Sequence, residues 1–212
     1  MDWLERQDLR MQAADFHDID MIASELYQAA IQKLEDLERK YEQQARARLA
    51  ATKTEDEHNQ LSQEQEWEEQ LSFRRKQALG ILPLHLLQLS VKERLERAKS
   101  YFDVTHPAPR IYKNKKGWPN WLKLEYRERF GIDFDRCPVS FARIEELVLA
   151  RNAAVHTDNP DNMKEYLGKV ENPRFVNDED QFWVDVTTYQ AAVSDAKAFM
   201  KWVIDELEKL VP

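Results

Sequence analysis

The residues best suited to chemistry stand together as Arg151-Asn152-Ala153-Ala154-Val155-His156. An arginine can clamp a phosphate with forked hydrogen bonds. A histidine can move a proton near neutral pH. An asparagine can orient either group. RNA carries its own nucleophile, the 2′-hydroxyl, so a site of this kind needs no metal-activated water. The products of such a reaction are a 2′,3′-cyclic phosphate and a 5′-hydroxyl. The structural alternative is an arginine paired with a carboxylate and a histidine that caps a helix end.

A helix must position these residues. Pro138 and Ser140 introduce it, it covers about 140–156, and Thr157-Asp158-Asn159-Pro160 stops it. Phe141, Ile144, Val148, Arg151 and Val155 fall on one stripe, so an arginine stands where the pattern expects an apolar side chain. A desolvated guanidinium needs an acidic or phosphate partner, or a cleft to face. Glu145, Leu149, Asn152 and His156 form a second stripe. The helix macrodipole favours an imidazolium at His156. Arg151 and His156 are separated by roughly 140° around an ideal helix. A two-fold dimer with this helix at its interface is the simplest way to bring them to one phosphate.

Arg151-Asn152 with His156 resembles the Arg-x4–6-His motif of the HEPN superfamily (higher eukaryotes and prokaryotes nucleotide-binding). HEPN domains are α-helical bundles with this motif near the end of a late helix. Many are metal-independent endoribonucleases whose active site is shared by two protomers. The resemblance implies catalytic roles for Arg151 and His156, support from Asn152, and a further acidic group at Glu145. It implies RNA as substrate, a homodimer, and no cofactor or metal. By analogy with the family, the biological setting is a prokaryotic toxin or phage-defence effector, restrained by an antitoxin or another regulatory protein. The alternative is a non-catalytic HEPN-like module that docks a partner through a helical arm.

A second group of candidates is basic and aromatic. Arg110, Lys113, Lys115, Lys116, Lys123, Arg127 and Arg129 are interleaved with Tyr112, Trp118, Trp121 and Tyr126. Lys113, Lys115, Lys116, Trp118 and Lys123 are the RNA-binding candidates, through phosphate contacts and base stacking. The other reading is a solvated loop whose aromatic rings are pinned to the core. His17, His58, His85 and His106 are scattered, and no Cys/His pair has zinc-ligand spacing. Cys137, the single cysteine, reads as a packing residue and excludes an intramolecular disulfide. There is no phosphate-binding glycine loop.

The elements that carry these residues are helical. Only 4 Gly and 8 Pro interrupt 212 residues, a length that fits one domain with an elaboration or at most two small domains. The net charge of −8 rules out nucleic-acid binding through bulk charge, so only a local basic patch could serve. The charged N-terminus is unlike a signal peptide, and the apolar run Leu79–Leu89 is too short to span a bilayer, so a cytoplasmic protein is expected.

Ile19, Ile22, Leu26, Ala30, Leu34, Leu37 and Tyr41 predict a first long helix, with a turn over 52–57. Trp67, Leu71, Ala78, Leu82, Leu86 and Leu89 predict a second, with a kink or restart at Pro83, ending near Phe102. The pair reads as an antiparallel hairpin whose part 42–66 projects as a charged coiled-coil-like arm, either simply solvated or a binding surface. Residues 103–118 read as a basic loop, 120–130 as a short helix ended by Gly131, and 157–173 as loop. Arg174–Val176 and Phe182–Val186 could pair as a small β-hairpin around 177–180. Tyr189, Ala192, Ala196, Phe199, Val203, Leu207 and Leu210 predict a last helix over 187–210. The expected fold is therefore mainly α: a single domain over 1–212, an antiparallel, HEPN-like helical bundle bearing an extended hairpin arm.

Overall fold

The structure is a computed structural model and describes residues 19, 21–102, 117–155 and 160–210. His156, Lys113, Lys115 and Lys116 lie outside the described residues, as does the loop before Gly117. The chain folds as a mainly α bundle. Its helices are α1 (Gln28–Ala51), α2 (Glu55–Phe102), α3 (Trp118–Phe130), α4 (Ala142–Val155), α5 (Pro160–Lys169) and α6 (Val186–Glu208). A π-helical stretch, Ile22–Tyr27, leads into α1, and a 3-10 turn, Phe134–Arg136, separates α3 from α4.

The π-helical entry explains a phase error in the expected α1 stripe. A π turn takes up an extra residue, so the side chains on its two ends are rotated against each other around the helix axis. Ile19, Tyr27 and Leu34 are buried, whereas Leu26 and Leu37 are exposed. Tyr27 donates its hydroxyl proton to the Val184 carbonyl at 2.6 Å, tying this entry to the segment before α6.

The turn between α1 and α2 is short. Thr52 closes α1 by donating its N–H and its hydroxyl to the Leu49 carbonyl. Thr54 accepts the Glu57 N–H at 3.2 Å, which caps α2, and Glu57 accepts the Lys53 N–H at 3.1 Å in return. Polar contacts zip the two helices together: Glu38 accepts from Ser72 and from Lys76, and Arg48 pairs with Glu64 at 3.3 Å. No residue from Glu55 to Leu71 is buried, so this end of the hairpin contributes nothing to the core.

α2 runs through Pro83 as one helix, so of the kink or restart expected there the restart does not occur. Its buried stripe is Leu84, Leu87, Val91, Leu95 and Ala98, and Leu82 and Trp67 of the expected stripe are exposed. The apolar run Leu79–Leu89 has hydrophobic residues on every side of the helix, so its period does not reveal its phase. Leu79, Ile81 and Leu86 also pack partly against the core.

α3 ends as expected. Gly131 has φ 66°, its N–H bonds to the Arg127 carbonyl, and Ile132 N–H bonds to Tyr126. Phe134 then enters an aromatic cluster with Tyr126, Phe141 and Phe199, at centroid distances of 5.0 to 5.1 Å. α5 replaces a segment expected to be loop. Pro160 opens this helix rather than merely stopping the previous one, and Tyr166 buries its ring.

The expected β-hairpin is reduced to one antiparallel bridge, Val176 to Phe182, and no strand forms among the described residues. Asn177 turns the chain by accepting the N–H groups of Glu179 and Gln181 on its side chain. Trp183 stacks on Phe73 of α2 at 5.7 Å. Asp185 caps α6 through Thr188 N–H at 2.8 Å. The α6 stripe is buried as predicted from Tyr189 to Leu207, while Leu210 is exposed.

One buried carboxylate organises the end of the bundle that holds the candidate site. Glu146 of α4 is fully buried and accepts from the Arg174 N–H at 2.7 Å, Arg174 Nε at 2.8 Å, Arg143 Nη1 at 3.2 Å and the Tyr166 hydroxyl at 3.1 Å. Arg174 continues to Asp195 of α6 at 2.6 Å. The burial cost of each charge is offset because every one of them is paired. Among the described residues, no helix is long and apolar enough to cross a membrane.

Candidate functional site

α4 fixes the site by what it buries. Phe141, Ile144, Leu147, Ala150, Ala153 and Ala154 form its core face. The expected core stripe was displaced: Val148 and Arg151 are partly buried at its edge, and Val155 is exposed. Arg151 therefore stands at the boundary of the core. Its Nη1 donates to Asn152 Oδ1 at 3.1 Å, and its Nε is buried without a hydrogen-bond partner among the described residues.

The second expected stripe lines a groove. Glu145, Leu149 and Asn152 share it with Pro119 and Asn120 of α3, Glu165 and Lys169 of α5, and Asn172 beyond, around a volume of about 980 Å³. Its charges are largely committed to neighbours. Lys169 pairs with Glu165 at 2.5 Å, and Arg143 is held by Glu146 and by the Asn172 carbonyl at 3.4 Å. Burial raises the Glu145 pKa above the usual carboxyl value; Asp135 adds to the rise, and Lys123 and Lys169 oppose it. Asn152 links the groove to Arg151, because it lines the groove and its Oδ1 accepts from the guanidinium.

The RNA-binding candidates that are described make contacts within the chain. Lys123 pairs with Asp135 at 2.7 Å and sits over the Phe141 ring at 5.4 Å. Trp118 is half-buried and donates its indole N–H to Gln88 Oε1 at 3.3 Å. Of the surrounding cluster, Arg129 is buried against Glu125 at 2.7 Å, Tyr126 is buried with its hydroxyl on the Leu95 carbonyl, and Trp121 packs beneath Lys99. Burial raises the Cys137 thiol pKa and keeps it a packing residue. No group of His, Cys, Asp and Glu among the described residues could hold a metal ion.

His85 was missed by sequence reasoning, which saw only a scattered histidine. It lies on α2, which packs against α4, and its Nδ1 is 2.9 Å from Gln88 Nε2. Burial, together with the positive charge of Arg151, lowers its pKa below the ordinary histidine value. The signal in the sequence was its place with Gln88, one turn apart, as the polar interruptions of the apolar run Leu79–Leu89.

The described site thus combines a partly desolvated guanidinium, an amide that holds it and a groove with a carboxyl group. Such a set can bind an anion and position polar groups beside it without metal. Searches of protein-family models, curated proteins and solved structures found no match to this chain.

Proposed function

We propose that this protein is a metal-independent endoribonuclease of the HEPN type, cleaving RNA by attack of the 2′-hydroxyl on the adjacent phosphate. The observation that carries this reading is Arg151: a guanidinium at the edge of the core whose buried Nε has no partner among the described residues. Anions are the natural partners of such a group. Asn152, which lines the groove, accepts a hydrogen bond from the guanidinium. In this reading Arg151 stabilises the phosphorane, His156 is the acid or base, and Asn152 with Glu145 positions groups. A homodimer across α4 fits the exposed Val155, one turn beyond Arg151, and the exposed Leu82, three residues before His85. A toxin or defence role, with a regulatory protein as partner, rests on analogy alone.

The test is cleavage of diverse RNAs by purified protein in EDTA, with product ends mapped. Wild type should leave 2′,3′-cyclic phosphate ends, and Arg151→Ala and His156→Ala should each lose at least about a hundredfold in rate. Equal inertness of all three removes the nuclease reading.

The second reading is a binding module that works through the helical hairpin. Trp67 favours it: this large side chain is 61% exposed on a stretch of α2 that buries nothing. Toxicity on expression that disappears with His156→Ala speaks for the nuclease, and an unchanged growth phenotype for the module.

A further inference from the structure

The groove between α3, α4 and α5 contains an acceptor in want of a donor. Glu145 lines it, is half-buried, and has neither a hydrogen bond nor an ion pair among the described residues. Its neighbour Glu146, by contrast, accepts from Arg143, Arg174 and Tyr166. The groove is open, so a ligand can reach the Glu145 carboxyl. Its two cations do not compete for that carboxyl, because Lys169 pairs with Glu165 and Arg143 with Glu146. Against these two cations stand three carboxylates, Glu145, Glu165 and Glu171, so the groove has no positive excess with which to hold a phosphate. It suits a ligand part that is uncharged and donates.

The rest of the lining narrows the shape. Leu149 lies between Glu145 and Asn152 on the same face of α4 and offers an apolar wall. Glu145 and Asn152 are two turns apart, about 10 Å along the helix axis. That is comparable to the span from the pairing edge of a nucleobase to the phosphate of the same nucleotide. The two ends of the face also differ in charge. Asn152 accepts from the Arg151 guanidinium at 3.1 Å, so the cation stands at its end and the open acceptor at the other. A nucleotide laid along α4 with its base at Glu145 turns its phosphate toward Arg151.

The carboxylate also chooses among bases. It only accepts, through two oxygens side by side. Guanine presents two adjacent donors on its pairing edge, N1–H and the 2-amino group. Adenine and cytosine present a donor beside an acceptor, and uracil one donor between two carbonyls. Only guanine meets a carboxylate with two parallel hydrogen bonds; the others set a lone pair against it.

We propose that the Glu145 groove is a guanine-binding site, in which the carboxylate accepts the N1–H and 2-amino protons of an unpaired guanine whose ring lies against Leu149. This deepens the nuclease reading and rests on it for its substrate class, RNA: the base held at Glu145 belongs to the nucleotide whose phosphate reaches Arg151. Glu145 is then a specificity residue and transfers no proton.

The experiment titrates the full chain at neutral pH with the 3′-monophosphates of guanosine, adenosine, cytidine, uridine and inosine, followed by calorimetry. Guanylate should bind about tenfold or more tighter than adenylate, cytidylate and uridylate. Inosinate, which lacks the 2-amino group, should fall between. Glu145→Gln puts a donor where the carboxylate has only acceptors, so it should weaken guanylate about tenfold and leave uridylate unchanged. Thermal melting of the same variant shows that it is folded.

Equal binding of all the nucleotides overturns the proposal, as does binding of none. So does a guanylate preference that survives Glu145→Gln, or a preference for adenylate, which would mean a neutral carboxyl donating to the base. RNA cleavage on the same samples separates this site from the nuclease. A guanylate preference without cleavage keeps the groove and removes the nuclease. Cleavage spread evenly over the four bases does the reverse.

Discussion

At the scale of single residues, Glu145 and Glu146 show how neighbours in sequence divide structural and site roles. Glu146 is fully buried and accepts four hydrogen bonds from Arg174, Arg143 and Tyr166. Removing it takes a partner from the partly buried Arg143 and Arg174 and from the buried Tyr166 hydroxyl, so Glu146→Ala should cost about 3 kcal/mol in thermal or urea unfolding. A loss under about 1 kcal/mol would mean that the network is not closed in solution. Glu145 faces the groove, and burial raises its pKa above the ordinary 4.5. Between that value and its raised folded value, the folded state holds more of the proton than the unfolded state does. Stability therefore falls as pH rises through this window, and the deficit persists above it. Glu145→Gln should melt higher than wild type at pH 7 and equally near pH 4. A lower melting temperature at pH 7 would show that the carboxylate has a stabilising partner.

At the scale of elements, close approach sets the limits. A Cβ on Gly80 of α2 would lie 3.0 Å from Val184 Cβ and 3.3 Å from the Tyr27 hydroxyl. Alanine there gains about 1 kcal/mol of helix propensity. Overpacking of a fixed backbone segment costs about 1–3 kcal/mol. Gly80→Ala should therefore be less stable in urea titration, and a more stable variant would place the 184 segment farther from α2.

The same elements show what could be read beforehand. The α6 stripe was legible because its apolar residues lie on one side only. The α2 phase was not, because Leu79–Leu89 is apolar all round and tertiary packing chooses which side is deepest. α5 was hidden by Pro160, which reads in sequence as a helix stop and here begins a helix. The β-hairpin reading saw the right turn at Asn177 but not that pairing ends after one bridge. In the site, Glu145 and Asn152 were legible as one helical face. His85 was not, since the packing of α2 against α4 joins residues far apart in sequence.

At the scale of the whole molecule, the chain divides between a packed bundle and a hairpin tip held by polar contacts. Excising 46–62 and closing the gap with a short glycine-rich turn removes no buried side chain. The melting temperature should stay within about 5 °C of wild type, since a loop of different length changes closure entropy only slightly. A collapse of the fold would show that the tip supports the core. Under the nuclease reading, cleavage survives this excision. Under the module reading, partner binding is lost.

α2 has 48 residues, about 72 Å of helix, and it carries both His85 and one side of the hairpin tip. At Pro83, two residues from that histidine, the ladder of backbone hydrogen bonds lacks a rung, because proline has no N–H to give. Mechanically this makes Pro83 the most compliant point of a long arm. From His85 to Glu55 the arm is about 45 Å of helix, so a tilt of about 5° at this point carries the tip through about 4 Å.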